Sequence, residues 1–311
     1  MKLGIETKSI TKIFPIHKGE TRALTDLSLS IEKGSVYGLT GANGSGKSTL
    51  LRLLATLLIP TSGQAWVNGS DTVKEEKRVR ASIGLALGSE RSFYWRLTGL
   101  QNLQFFASLY GLPSSSPRVS QALEMLGLVD QAHKQYMSYS SGFKRRLDLA
   151  RAMLREPPVY LLDEPTSAID PHSTLQIRQI IMDLKTHGHT VLLVTHNLGE
   201  AEKLCDRVGI LDKGVFLAEG TMSQLRQLAS GTRIRLQLTP PVQADCLSVL
   251  YRVEGIERIQ MDAGEILLFV RHGERALHSL LALIREQGWQ LTNLHMEEPT
   301  LEDVFFRLVG R

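Results

Sequence analysis

Cysteine is almost absent from this chain. Cys205 and Cys246 are the only two in 311 residues, and they lie far apart. So sparse a complement excludes a disulfide-stapled scaffold and is the usage expected of a reducing compartment. Long apolar runs are missing too. The best candidate, Leu50 to Ile59, is short and interrupted by Arg52, so no membrane span is expected. The start, Met1-Lys2-Leu3-Gly4-Ile5-Glu6, turns polar at once and does not read as a signal peptide. Aromatics make up 6% of the chain, and no dense block of one charge sign occurs. Net charge is +4, and the most basic stretch, Lys74 to Arg80, is diluted by Glu75 and Glu76. That pattern is a solvated helix face, and no nucleic-acid partner is expected. The nine histidines are scattered without ligand spacing. There is no internal repeat and no long low-complexity tract.

What the chain does have is glycine in one decisive place. Gly41-Ala42-Asn43-Gly44-Ser45-Gly46-Lys47-Ser48-Thr49 matches G-x-x-x-x-G-K-[ST]. The apolar run Val36 to Leu39 precedes it as a buried strand, and leucines 50, 51, 53, 54, 57 and 58 follow in a helical pattern. Glycines let this loop turn tightly and approach phosphate oxygens. Its N–H groups converge on one concavity at the positive end of the helix. Lys47 brings a compact charge to the phosphates, and the Ser48 hydroxyl is placed to ligate an accompanying Mg²⁺. Taken alone, such a loop could also be a turn that binds nothing; the flanking strand and helix argue for the site.

Two further strands end in polar groups. Val159 to Leu162 runs into Asp163 and Glu164, and Thr190 to Thr195 runs into His196. Open α/β sheets place ligands at the carboxyl ends of their strands. Asp163 is then a metal ligand, Glu164 a candidate general base, and His196 a neutral imidazole able to donate to the terminal phosphate and hold the attacking water. Tyr139-Ser140-Ser141-Gly142-Phe143 opens a helical stretch and supplies a second anion-binding terminus.

Together these motifs resemble the nucleotide-binding subunit of an ATP-binding cassette (ABC) transporter over roughly residues 1–228. Gly41–Thr49 is similar to Walker A, Tyr139–Phe143 to the signature LSGGQ, and Val159–Glu164 to Walker B. Ser167-Ala168-Ile169-Asp170 resembles the D-loop, His196 the switch histidine, and Phe14 the aromatic that stacks on adenine. The resemblance implies an α/β P-loop fold: a RecA-like core, a helical subdomain near residues 88–155, and ATP with Mg²⁺ as cofactors. It also implies a head-to-tail pair of subunits, in which Ser140, Ser141 and Gly142 contact the ATP held on the partner's Walker A, and it counts Asp170 of the D-loop among the nucleotide-binding residues. Departures are visible as well. The signature reads YSSGF, alanine stands at 168 where glycine is usual, and Ile83 to Arg91 lacks the usual glutamine, leaving Gly88, Ser89 or Glu90 in that slot.

The run Glu90 to Gly99, followed by Asn102 and Leu103, resembles exporter ATPases of the ABC-2 type. Such a subunit works on a separate integral membrane permease, at the cytoplasmic face of the membrane. A soluble ABC ATPase without a pore and a nucleotide-gated regulatory module are the alternatives. Phe93, Tyr94 and Trp95 are consecutive, so they cannot share one face, and at least one is expected to point outward and dock the permease. The last part, residues 231–311, orders its elements β-α-β-β-α-β and resembles a ferredoxin-like module. Its end, Glu298 to Phe306, resembles the C-terminus of drug- and antibiotic-exporting ABC ATPases. Pro299, Thr300 and Asp303 also carry ordinary helix-start chemistry.

Overall fold

The structure is a computed structural model and describes residues 2–16, 19–87, 93–113, 117–167, 169–229, 231–239, 247–262, 265–271 and 273–309. The slot residues Gly88, Ser89 and Glu90, and Ala168 of the D-loop, lie outside these. Two compact units divide between Thr221 and Met222.

The first unit begins with the long antiparallel pair β1 (Leu3–Ile16) and β2 (Gly19–Glu32). Then come β3 (Val36–Thr40), α1 (Lys47–Leu54), β4 (Ser62–Val67), β5 (Ser70–Asp71), α2 (Glu76–Ser82) and β6 (Ile83–Ala86). The helices α3 (Gly99–Leu109), α4 (Pro117–Met125) and α5 (Ser141–Met153) fall inside the stretch expected to be helical. The chain returns to alternation with β7 (Val159–Asp163), α6 (Pro171–Thr186), β8 (Thr190–Val194), α7 (Leu198–Leu204), β9 (Arg207–Asp212) and β10 (Val215–Gly220). As the charge pattern indicated, α2 is an ion-paired surface helix: Arg78 meets Glu75 at 2.5 Å and Arg80 meets Glu76 at 3.1 Å.

Two sheets result. One runs β2-β1-β4-β5 and is antiparallel; the other runs β10-β9-β3-β8-β7-β6 and is parallel apart from its β10 edge. Every residue of β3 and β8 is buried, which is why both read as unbroken apolar runs rather than alternating ones. Helix α1 packs against β2, β4, β7 and β8, and Leu50, Leu51, Leu53 and Leu54 join one core with Ile5, Leu161 and Leu192. That packing fixes the helix directly behind the glycine loop.

The second unit holds α8 (Met222–Ala229), β11 (Thr232–Thr239), α9 (Leu247–Leu250), β12 (Ile256–Asp262), β13 (Glu265–Val270), α10 (Gly273–Glu286), β14 (Gln290–Glu297) and α11 (Leu301–Val309). Its sheet order is β12-β13-β11-β14, with every pair antiparallel. Helix α8 packs on α11 and so joins this unit, which therefore starts at 222 rather than at the expected 231. Thr300 and Asp303 cap α11 reciprocally: the Thr300 N–H donates to Asp303 at 2.8 Å, and the Asp303 N–H to Thr300 Oγ1 at 3.4 Å.

The aromatic triplet divides as its spacing required. Phe93 is 5% exposed and lies among Phe106, Tyr136 and the Arg151 guanidinium, whereas Tyr94 and Trp95 are 52% and 54% exposed. Asn102, fully buried on α3, holds that loop. Its Oδ1 accepts from the Tyr94 N–H at 2.9 Å, and its Nδ2 donates to the carbonyls of Tyr94, Leu97 and Thr98. Asn102→Ala strands these groups away from water and is expected to cost about 2–3 kcal/mol in urea unfolding. Substitution of Gln101 in the exposed capping box at Thr98 is expected to cost ~1 kcal/mol or less. Equal losses at the two positions would show that Asn102 does not hold the loop.

Candidate functional site

The parallel register sets the site. Leu39 lies opposite Val194, and Val194 opposite Asp163, so β3, β8 and β7 end at one level. The residues just past those ends are the glycine loop, His196 and Glu164. At the loop, Gly41 has φ 149°, and a Cβ there would lie 2.0 Å from the Leu211 carbonyl oxygen. At Gly46, φ 109°, the clash would be with the Ala23 carbonyl at 2.5 Å. Only glycine fits at either position. Asn43, Gly44, Gly46, Lys47, Ser48 and Thr49 line a cleft of about 390 Å³, together with Ala23, Leu87, Arg145, Asp163, Glu164 and Ser167.

The Lys47 ammonium donates to the carbonyls of Gly41 and Ala42, both at 2.8 Å. Burial lowers its pKa, and the charges of Glu164 and Asp163 oppose that fall. The Asp163 carboxyl is shifted the other way. Burial raises it, the Ser48 hydroxyl bonded to it pulls it down, and the Glu164 carboxylate pushes it up again. Ser48 and Asp163 thus present two oxygens side by side. Mg²⁺ is ordinarily held by one or two such protein oxygens and completed by phosphate and water, so this donor set fits that ion.

Glu164 is one of seven non-glycine residues with positive φ among the described residues, and the one of them that lines this cleft. It sits at φ 51°, a conformation that costs a non-glycine residue energy and persists only where surrounding structure imposes it. Its N–H donates to Val194 O at 2.9 Å, continuing the β7–β8 ladder past the strand end. Its Oε1 accepts from the His196 backbone N–H at 2.8 Å and lies 2.7 Å from His196 Nδ1. The imidazole is 56% exposed and open to a ligand on its other side. While a neutral imidazole spends its Nδ1 proton on Glu164, Nε2 can only accept.

The other expected residues lie apart from this cleft. Ser140 caps α5, accepting from the Phe143 N–H at 3.3 Å, and both Ser140 and Ser141 are exposed. Phe143 lies under the Arg146 guanidinium at 4.5 Å. Asp170 caps α6 through the Ser173 N–H at 2.9 Å, a bond that lowers its pKa, and a Cβ on Gly142 would come within 3.3 Å of its carboxylate. Phe14 is on β1, half-buried beneath the Lys12 ammonium at 5.0 Å.

Comparison with known proteins identifies the family. The ABC transporter family profile matches residues 24–167, and that of the ATP-binding protein DrrA1-3-like C-terminal domain matches residues 220–309. The daunorubicin resistance ATP-binding protein DrrA3 of Streptomyces coeruleorubidus is 36% identical over 294 residues, 94% of this chain and 92% of that protein. The chain belongs to the ABC transporter ATPases. The linearmycin resistance ATP-binding protein LnrL of Bacillus subtilis (strain 168) is 32% identical across 99% of this chain and 98% of its own. Among solved structures, the dimeric post-hydrolysis state of the ATP-binding cassette MJ0796 bound to ADP and Pi superposes with a TM-score of 0.65. It has 27% identity and covers 70% of this chain and 98% of that one. These relatives place this ABC ATPase with the drug-exporter ATPases of the ABC-2 type.

One residue behind this ABC ATPase site escaped sequence reading. Glu200, on α7, is 0% exposed. Its carboxylate accepts from Thr166 Oγ1 at 2.7 Å, from Thr195 Oγ1 at 3.2 Å and from Arg178 Nε at 3.4 Å. It therefore ties the loop after Glu164 to the residue before His196. The signal in the sequence is only an acid four residues after a strand-ending histidine. Glu200→Ala leaves the part-buried Arg178 guanidinium and two hydroxyls without their acceptor and is expected to cost about 2–3 kcal/mol. Glu200→Gln should cost less and lower ATP turnover more than ATP affinity. Wild-type turnover in a well-folded Glu200→Gln protein would rule out this role.

Proposed function

We propose that this chain is the motor of an exporter: it binds and hydrolyses ATP and drives a separate membrane permease from the cytoplasmic face. No helix among the described residues is long and apolar enough to cross a membrane, and in our reading a separate permease carries the translocation path. The names of the relatives point to small-molecule resistance as the class of task.

The observation that carries this reading is the Glu164–His196 pair, 2.7 Å apart at the ends of adjacent strands. In our assignment the Walker A amides and Lys47 hold the phosphates, and Phe14 stacks on the adenine. Ser48 and Asp163 hold Mg²⁺, which screens phosphate charge when bound. Glu164 takes a proton from the attacking water as general base. The γ-phosphate draws the imidazole of His196 away from Glu164, which frees the carboxylate for that water and lets His196 steady the phosphate. The exposed Ser140 and Ser141, with Gly142 behind them against Asp170, await the ATP of a second copy bound head to tail. The strand order of the second unit supports its ferredoxin-like reading, and we assign it to stabilising the pair.

Glu164→Gln should keep ATP affinity and slow hydrolysis by about two to four orders of magnitude. Near-wild-type turnover in the purified variant would overturn the assignment. The docking surface is testable separately. Tyr94, Trp95, Phe105 and Met137 form an exposed apolar patch, with the Met137 N–H bonded to the Trp95 carbonyl at 3.1 Å. Large exposed aromatics mark interfaces. Trp95→Ala should abolish copurification with the permease and leave basal ATPase activity intact, whereas a variant that still binds and responds to the permease excludes this patch.

A further inference from the structure

Arg145 is a cation that the assigned chemistry does not use. It sits on α5, one turn beyond Gly142, and its side chain reaches the cleft lined by Lys47, Ser48, Asp163 and Glu164. It also borders the small space enclosed by Ala86, Asp148 and Asp163. Its Nη1 is buried and has no hydrogen-bond partner. The other two arginines on this helix hold to the protein: Arg146 donates through Nη1 to Gln176 and to the Leu126 carbonyl, although its Nε is also buried without a partner, and Arg151 donates to Asp148 and to the Leu85 carbonyl. A buried guanidinium N–H without an acceptor is a costly group to keep. The Arg145 side chain as a whole lines a cleft built for an anion, and a guanidinium matches phosphate oxygens in a bidentate fork.

We propose that Arg145 binds the terminal phosphate of the ATP held by its own subunit. The helix that carries it starts at Ser141, within the signature segment Ser140–Gly142. Contact between Arg145 and a γ-phosphate therefore fixes the near end of α5, and through one helical turn it sets the signature that serves the second copy. ADP offers no such anchor. Arg145 makes each subunit report its own nucleotide state to its partner. Sequence reading passed over it because Lys144-Arg145-Arg146 looks like the solvated side of an amphipathic helix.

This inference rests on the cleft being the ATP site, and one experiment separates the two claims. ATP and ADP affinities are measured by equilibrium titration for the full-length wild type, Lys47→Ala, Arg145→Ala, Arg145→Gln and Arg145→Lys, alongside thermal melting. Loss of both nucleotides in Lys47→Ala tests the cleft. For Arg145→Ala we expect ATP binding to weaken roughly tenfold to a hundredfold while ADP affinity stays within about twofold. Arg145→Lys should recover part of the loss. Arg145→Gln, which keeps a polar side chain without the charge, should behave like the alanine variant and serves if that one melts early. An ATP-to-ADP affinity ratio unchanged from wild type in both Arg145→Ala and Arg145→Gln overturns the proposal.

Discussion

The register of three parallel strands governs the chemistry of this protein. Because β3, β8 and β7 terminate level with one another, the phosphate loop meets two carboxylates that follow it by more than a hundred residues, and an imidazole 32 residues beyond Glu164. A one-residue slip would turn every inward side chain of those strands to the opposite face. Both faces of β3 and β8 are buried, so such a slip would disrupt close packing on each side.

Around that frame, charge is concentrated where water is scarce. The Asp163 carboxyl and the Lys47 ammonium are each pushed toward neutrality by burial, and each moderates the shift of the other. Glu164 is held in a left-handed conformation by the Val194 carbonyl and by His196. Such groups are expensive in the resting protein and useful when a charged ligand arrives, because a preorganised polar site has little left to rearrange. Glu200 shows the opposite solution: a wholly buried acid whose hydrogen-bond capacity is taken up by Thr166, Thr195 and Arg178.

Much of this was legible in the sequence, and the reason is physical. Gly41 and Gly46 sit where any side chain collides with backbone, so the loop can be written in few ways. Strands buried on both faces announce themselves as Val159–Leu162 and Thr190–Val194 do. What stayed hidden depends on distant partners. Glu200 meets Thr166 across 34 positions. The unit boundary at 222 arises because α8 packs on α11 near the chain end. The orientation of Tyr94 and Trp95 follows from Asn102, eight residues beyond Tyr94. No local pattern encodes any of these. Asp170 and the signature are expected at the site through family resemblance alone, and neither Asp170 nor Ser140 to Gly142 lines the phosphate cleft of its own subunit.

That last point frames the decisive measurement. Exposed Ser140 and Ser141 lie away from the phosphate cleft of their own chain, so the account requires each active site to be completed by a second copy. Lys47→Ala and Ser140→Ala, each inactive alone, should be mixed and ATP turnover followed. Heterodimers then contain one site with an intact Walker A facing an intact signature, and activity should reappear as the two variants exchange subunits. A mixture that stays as inactive as either variant, with subunit exchange verified, would contradict the account.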